Sequence, residues 1–221
     1  RTGALSSRDR LGLVALALDK AGRDALARLR GSGLMRWRYR AGAADDIVIS
    51  PTTLRMADPS FAEELAAGGF GIDGYVVQCD DLSPFEVEAP SAAWLRSLHG
   101  FGWLRHLEAA QSEETREAAR GFVQAWLRLG RDAQAPGLDP EVMARRIISW
   151  ITHECLLLDW AEPRDHDAIM ASLEREVTFL RTSWHNVVDG YPRILALIAL
   201  VHADLCIAGQ EDRLAQSQAL L

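Results

Sequence analysis

From Ser91 to the end of the chain, apolar residues recur three and four positions apart, in stretches long enough for helices and separated by short polar breaks. This pattern predicts helices at about 91–110, 113–129, 139–159, 165–185 and 191–208. The punctuation agrees with it. Pro90-Ser91 starts the first helix, because the serine hydroxyl can accept from a free N–H of the first turn. Asp139-Pro140 pairs an N-cap with proline at the first helical position. Gly130, Ala135-Pro136-Gly137, Pro163 and Gly190 before Pro192 fall in the gaps. Loops this short make consecutive helices antiparallel, as stacked hairpins.

The first 90 residues read differently. A helix is expected from about Ser7 to Leu29, stopped by Gly31 and Gly33, followed by the alternating Arg/aromatic patch Met35–Arg40. Ile47–Ser50 suits a short extended piece. Asp58 suits the cap of a brief helix running through Ala67, ended by Gly68-Gly69. Phe70–Gln78 has hairpin character around the turn-forming pair Asp73-Gly74. The expected fold class is all-α, with a small irregular or β-hairpin segment near 45–80. A 1–90 prelude packs on a 91–221 helical-hairpin domain.

Composition narrows the function classes. Of 221 residues, 48% are hydrophobic and 25% charged, which is ordinary for a globular protein. No apolar run reaches the roughly 18 residues of a membrane span, and the longest candidate, Ile194–Val201, reads as a buried helix. Charge is unevenly placed: residues 1–40 carry +7 and the remainder −14, for a net −7. A basic first helix could lie on anionic lipid, grip an acidic polymer or dock on the acidic body. Nucleic-acid binding is excluded by the acidic body and the lack of a recognition motif. Cys79, Cys155 and Cys206 lack CxxC spacing, so neither a disulfide framework nor a metal site is expected. The first residues do not resemble a secretory signal, and the compartment stays open between cytoplasm and periplasm.

Candidate chemistry clusters on three helices. The run SPFEVEAPSAAWLRSLHGFGWLRHLEAA (Ser83–Ala110) sets Trp94, Trp103 and Phe101 beside His99, Arg105 and His106. Aromatics next to Arg and His suit a wall that stacks a sugar ring and binds a carboxylate; the same aromatics also suit a core. Arg146, Trp150 and His153 share one helix, with Trp150 and His153 at i, i+3. At the next helix start, Tyr191 could stack or donate a hydrogen bond, and Arg193 could clamp a carboxylate with help from the helix dipole. The candidate substrate-binding set is therefore Trp103, Arg146, Trp150, His153, Tyr191 and Arg193. GGFGIDG (Gly68–Gly74) lacks the context and lysine of a phosphate loop.

Three segments resemble heparinase II/III-like proteins, a family of polysaccharide lyases and relatives: SPFEVEAPSAAWLRSLHGFGWLRHL, ARRIISWITHECLLL (Ala144–Leu158) and GYPRILALIALVHADLCIAGQ (Gly190–Gln210). The resemblance covers most of the chain from about Leu34. It implies an incomplete (α/α) toroid preceding a C-terminal β-sandwich domain, with an acidic, uronate-containing glycan bound between them and cleaved by β-elimination. No cofactor is implied. Active members begin the helix matching Tyr191–Gly209 with an Asn-His pair; here Tyr191 and Pro192 stand in its place. The family's catalytic Tyr falls beyond Leu221. The resemblance thus assigns no catalytic residue within this chain and implies that it does not cleave glycan alone. The alternative is a non-catalytic glycan-binding or structural domain of a lyase-like protein.

Overall fold

The computed structural model of the protein describes residues 46–79 and 82–221, and these described residues fall in one compact unit. The expected helix from Ser7 to Leu29, and the Met35–Arg40 patch, lie outside the described residues. The described part is mostly helical with one two-stranded sheet.

Helix α1 (Ser60–Ala66) leads into strands β1 (Gly69–Ile72) and β2 (Tyr75–Gln78). The strands pair antiparallel, with Ile72 opposite Tyr75. Asp73 and Gly74 both have positive φ, at 52° and 79°, as a tight two-residue hairpin turn demands. Asp58 accepts from the Ser60 N–H at 3.0 Å, but α1 starts one residue later than expected, with Pro59 at its N-cap position. The helical body then runs through α2 (Ala92–His99), α3 (Leu104–Ala110) and α4 (Glu113–Arg128). A short α5 (Arg131–Gln134) and a 3-10 turn (Ala135–Leu138) lead to α6 (Pro140–Thr152) and α7 (Glu154–Leu157). The long α8 (Pro163–Ser183), α9 (Tyr191–Cys206) and α10 (Glu211–Gln218) complete it. Ser91 caps α2 by accepting from Trp94 N–H at 3.0 Å, and Asp139 caps α6 by accepting from Glu141 N–H at 2.9 Å.

Two expected long helices are broken. The one over 91–110 stops at Gly100, where Phe101 takes φ +56°, a left-handed conformation uncommon for a non-glycine residue. The break turns the Phe101 ring into the core, with its centroid 5.2 Å from Trp103 and 5.4 Å from Trp150. The Phe101 carbonyl, which accepts from the Leu104 N–H at 3.0 Å, also accepts from Ser149 Oγ at 2.7 Å. The helix expected over 139–159 ends at Thr152, and Trp160 (φ +60°) marks the turn into α8.

Neighbours in space are not always neighbours in sequence. Arg145 lies over the Tyr191 ring, and Thr152 Oγ1 is 3.4 Å from His202 Nε2. Both numbers rise together, so α6 and α9 run parallel although α8 separates them in the chain. The described residues between 46 and 90 belong to the same compact unit as the helices after 91. Phe70 is buried against Trp94 and Trp103, with Phe61 edge-on to Phe70, and Ile47 bridges Ile207, flanked by a 2.7 Å bond from Val48 N–H to the Cys206 carbonyl.

Candidate functional site

Arg146 is the chemical centre of the body. It sits on α6 within the apolar row Met143, Ile147 and Trp150, which carries its side chain inward to 0% exposure. Its Nε donates to both carboxylate oxygens of Glu176, at 3.0 and 2.9 Å. Nη1 donates to the His99 carbonyl at 2.8 Å and Nη2 to the Gly137 carbonyl at 2.9 Å. The guanidinium plane lies 4.2 Å from the Trp126 ring. A buried charge is tolerated when it is paired and hydrogen-bonded in this way. Gly137 is required by the crowding: a Cβ there would meet His99 Nδ1 at 2.9 Å and Arg146 Nη1 at 3.0 Å.

The neighbours are tuned by the same burial. His99 is pushed down to about 4, first by burial and then by the Arg146 charge. It is therefore neutral at pH 7, with Nδ1 accepting from Trp126 Nε1 at 3.0 Å. Burial raises the Glu176 carboxyl, and Arg146 opposes the rise. Every charged group here already holds a protein partner, so the cluster is a structural polar core. It does not face a cleft.

The sequence-based set divides accordingly. Trp103, Arg146 and Trp150 are interior, each at 2% exposure or less, and no ring face among them is open to a sugar. Their assignment to a binding wall is corrected: the left-handed turn at Phe101 folds these aromatics onto one another. Trp103 Nε1 is spent on the Leu98 carbonyl at 3.0 Å. His153 is also buried, with Nδ1 2.7 Å from Glu108. Tyr191 and Arg193 do reach the surface. Tyr191 is stacked beneath Arg145, whose carbon lies 5.5 Å from the ring centroid, and Arg145 in turn donates to Glu141 at 2.9 Å. Arg193 latches the loop before α9, donating to the Val187 carbonyl at 2.8 Å and pairing with Asp189. A carboxylate does sit on Arg193, and it is the protein's own. The six residues do not share one hollow.

Two open concavities lie elsewhere. A groove of about 330 Å³ runs between the end of the hairpin and α4, lined by Leu65, Gly68, Cys79, Pro84 and Phe122 among others. A smaller one of about 200 Å³ is lined by Glu108, Gln111, Arg116 and Cys155. Beside the second, Glu154, Cys155 and Asp159 bring one ligand atom each within 4.8 Å of one another. The Cys155 thiol donates to Glu154 at 3.0 Å, and that bond raises its pKa, so it is a thiol and not a thiolate at neutral pH.

Sequence reading missed Glu176, Glu108 and Arg145. A signal for Glu176 was present: it interrupts the apolar row Ile169, Leu173, Val177 and Leu180 on α8. A carboxylate in such a row needs a buried cation, and α6 offers Arg146 in a row of its own.

No family model matches the chain, and no solved structure does. It is 29% identical over 118 residues to FtsZ-localized protein C of Caulobacter vibrioides, a match covering 53% of this chain and 20% of that protein. The aligned part thus spans about a fifth of the length of the curated relative.

Proposed function

We propose that this chain is a helical recognition domain of a protein that gathers where FtsZ assembles, and that it acts by binding, not by breaking bonds. The likeness to the Caulobacter protein, named for its localisation with FtsZ, carries this reading. The chemistry of the body is compatible with it. The arginine, histidines and tryptophans that would serve a catalyst are engaged in holding helices together, and apolar side chains are displayed outside. The test is localisation: the whole chain, fused to a fluorescent protein, is produced in Caulobacter cells. A band coinciding with FtsZ is expected. Uniform fluorescence in cells whose FtsZ ring is intact would overturn the reading.

A second reading keeps the lyase resemblance. In it α6, α8 and α9 are consecutive members of an incomplete (α/α) toroid, and the end bearing Tyr191, Arg145 and Arg193 meets an acidic glycan together with a β-sandwich domain. The parallel run of α6 and α9, with α8 between them in sequence, favours it. The longer protein, incubated with uronate-containing polysaccharides, would then release unsaturated uronate product visible by ultraviolet absorbance. Neither product nor retention on an immobilised acidic glycan would remove this reading.

A further inference from the structure

Helix α9 is apolar on two sides. Its inner side buries Ala196, Ala199, Leu200 and Ala203 against the body. Its outer side shows Tyr191, Ile194, Ile198 and Leu205, exposed by 58%, 52%, 42% and 45%, with half-buried Val201 completing the row. The steps along this row are three, four, three and four residues. That is the spacing of a coiled-coil seam, which receives one further helix. A surface helix of a finished assembly ordinarily turns charged residues to water.

Charge bears on the occupant. Residues 41–221 carry −14, yet no Asp or Glu occurs between Tyr191 and Ala203. Asp204 is fully buried and bonded to Arg181 and Ser217. Arg193 is neutralised by Asp189, and burial holds the His202 imidazole below its ordinary pKa. Two acidic bodies brought together here set no carboxylate of this row against another.

Symmetry bears on it further. Tyr191 and Leu205 each lie seven residues from Ile198, Ile194 and His202 each lie four, and half-buried Leu195 and Val201 each lie three. Two copies crossing antiparallel at Ile198 would pair Ile198 with itself, Tyr191 with the other copy's Leu205, Ile194 with the other copy's His202, and Leu195 with the other copy's Val201. Such self-complementarity is what a two-fold interface requires. We propose that the outer face of α9 is the contact between two copies of this chain, packed antiparallel about Ile198. This stands independently of the division-site reading.

The size of the face sets the strength. A 16-residue helix is about 24 Å long, so one face covers roughly 400 Å² per copy. That is about half the ~800 Å² per partner of a standard interface. An interface this small fits a reversible, concentration-dependent pairing and not an obligate dimer.

The experiment is sedimentation velocity of the whole chain across a concentration series reaching about 1 mM, the weak end of the affinity scale, beside Ile198→Arg. The parent shifts from monomer to dimer as concentration rises, and Ile198→Arg stays monomeric with an unchanged circular dichroism spectrum. A second arm needs no disruptive change. In a Cys155→Ser background, Ile198→Cys forms an inter-chain disulfide under mild oxidant at least tenfold faster than Val76→Cys, a control on the exposed hairpin. A parent that remains monomeric throughout, a dimer that survives Ile198→Arg, or equal cross-linking at the two cysteines would each overturn the proposal.

Discussion

Around Arg146, an ion pair, an imidazole and two backbone carbonyls occupy space that aliphatic side chains would ordinarily fill. Along the outer row of α9, aliphatic side chains face water where charges would ordinarily stand. Helix α6 touches both regions through adjacent residues. Arg146 turns inward to Glu176, while Arg145 lies over Tyr191 at the start of the outer row. The two regions teach the same lesson from opposite directions. Burying an ion pair regains little more than its desolvation cost, and exposing an apolar row contributes nothing to one folded copy. Neither region is explained by the stability of the monomer. The interior cluster fixes which helices meet and in what register, since Arg146 binds α2, α8 and the 3-10 turn at once. The exterior row awaits a surface like itself.

The strongest way to break the comparison is to unpair the interior. Glu176→Leu strands a guanidinium in the core and is expected to cost about 3–5 kcal/mol in urea denaturation. Arg146→Met is expected to cost a similar amount, because a carboxylate and two carbonyls lose their donor. The double variant should lose clearly less than the sum of the two. Simple additivity would show that the pair is not an energetic unit.

Acid should reach the same cluster. The His99 imidazole titrates at about 4 in the folded chain, against an ordinary value near 6.5. Between those values the unfolded chain binds more protons, so stability rises with pH and is lost as pH falls from 6.5 toward 4. The expected loss is about 3 kcal/mol, since each unit is worth about 1.4 kcal/mol. His106 and His202, also held low mainly by burial, add to it with the same sign. Denaturation midpoints from pH 7 to 4.5 should fall steeply for the parent and less for His99→Gln. Parallel slopes would remove His99 as the acid-sensitive group.

A smaller effect separates two tryptophans whose rings touch, with centroids 5.7 Å apart. Trp126 donates to His99 and lies against Arg146, whereas the Trp150 Nε1 is buried without a hydrogen-bond partner. Trp126→Phe should cost about 2–3 kcal/mol, because it leaves a buried imidazole nitrogen unsatisfied. Trp150→Phe should cost about 1 kcal/mol, a packing change alone. Equal losses would mean that the polar contacts of Trp126 contribute nothing net.

Periodicity and caps made most of the helices legible, along with the Asp73-Gly74 hairpin, because those signals are local. The break at Gly100 was not legible. A lone glycine inside a helical row is ordinarily tolerated, and only the packing of Phe101 against Trp103, Trp126 and Trp150 favours the left-handed turn. The misplaced binding wall has the same origin. Aromatic and basic residues at helical spacing look alike whether they line a cleft or a core, and the distinction rests on contacts more than 40 residues apart, such as Arg146 with His99. The interior pair left a usable trace, since Glu176 and Arg146 each interrupt an apolar row. The run Ile194–Val201 read as a buried helix. It is buried on one side, and the described residues leave the other side open.

The gentlest test therefore falls on that open side. Ile198→Gln replaces a half-exposed aliphatic group by a polar one of similar length, and in dilute solution it should change stability by no more than about 0.5 kcal/mol. Leu197→Ala, one position round the same helix at 6% exposure, should cost about 2–3 kcal/mol. Concentration then separates what the two positions do. If two copies pair through the outer row, mass action raises the melting temperature of the parent as protein is added. Leu197→Ala, which leaves the row intact, should keep that rise from a lower starting point. Ile198→Gln should start level with the parent and show no rise. A concentration-dependent melting temperature in Ile198→Gln would place the contact on another face, and the contrast between a polar interior that sets register and an apolar exterior that sets association would fail at its outer half.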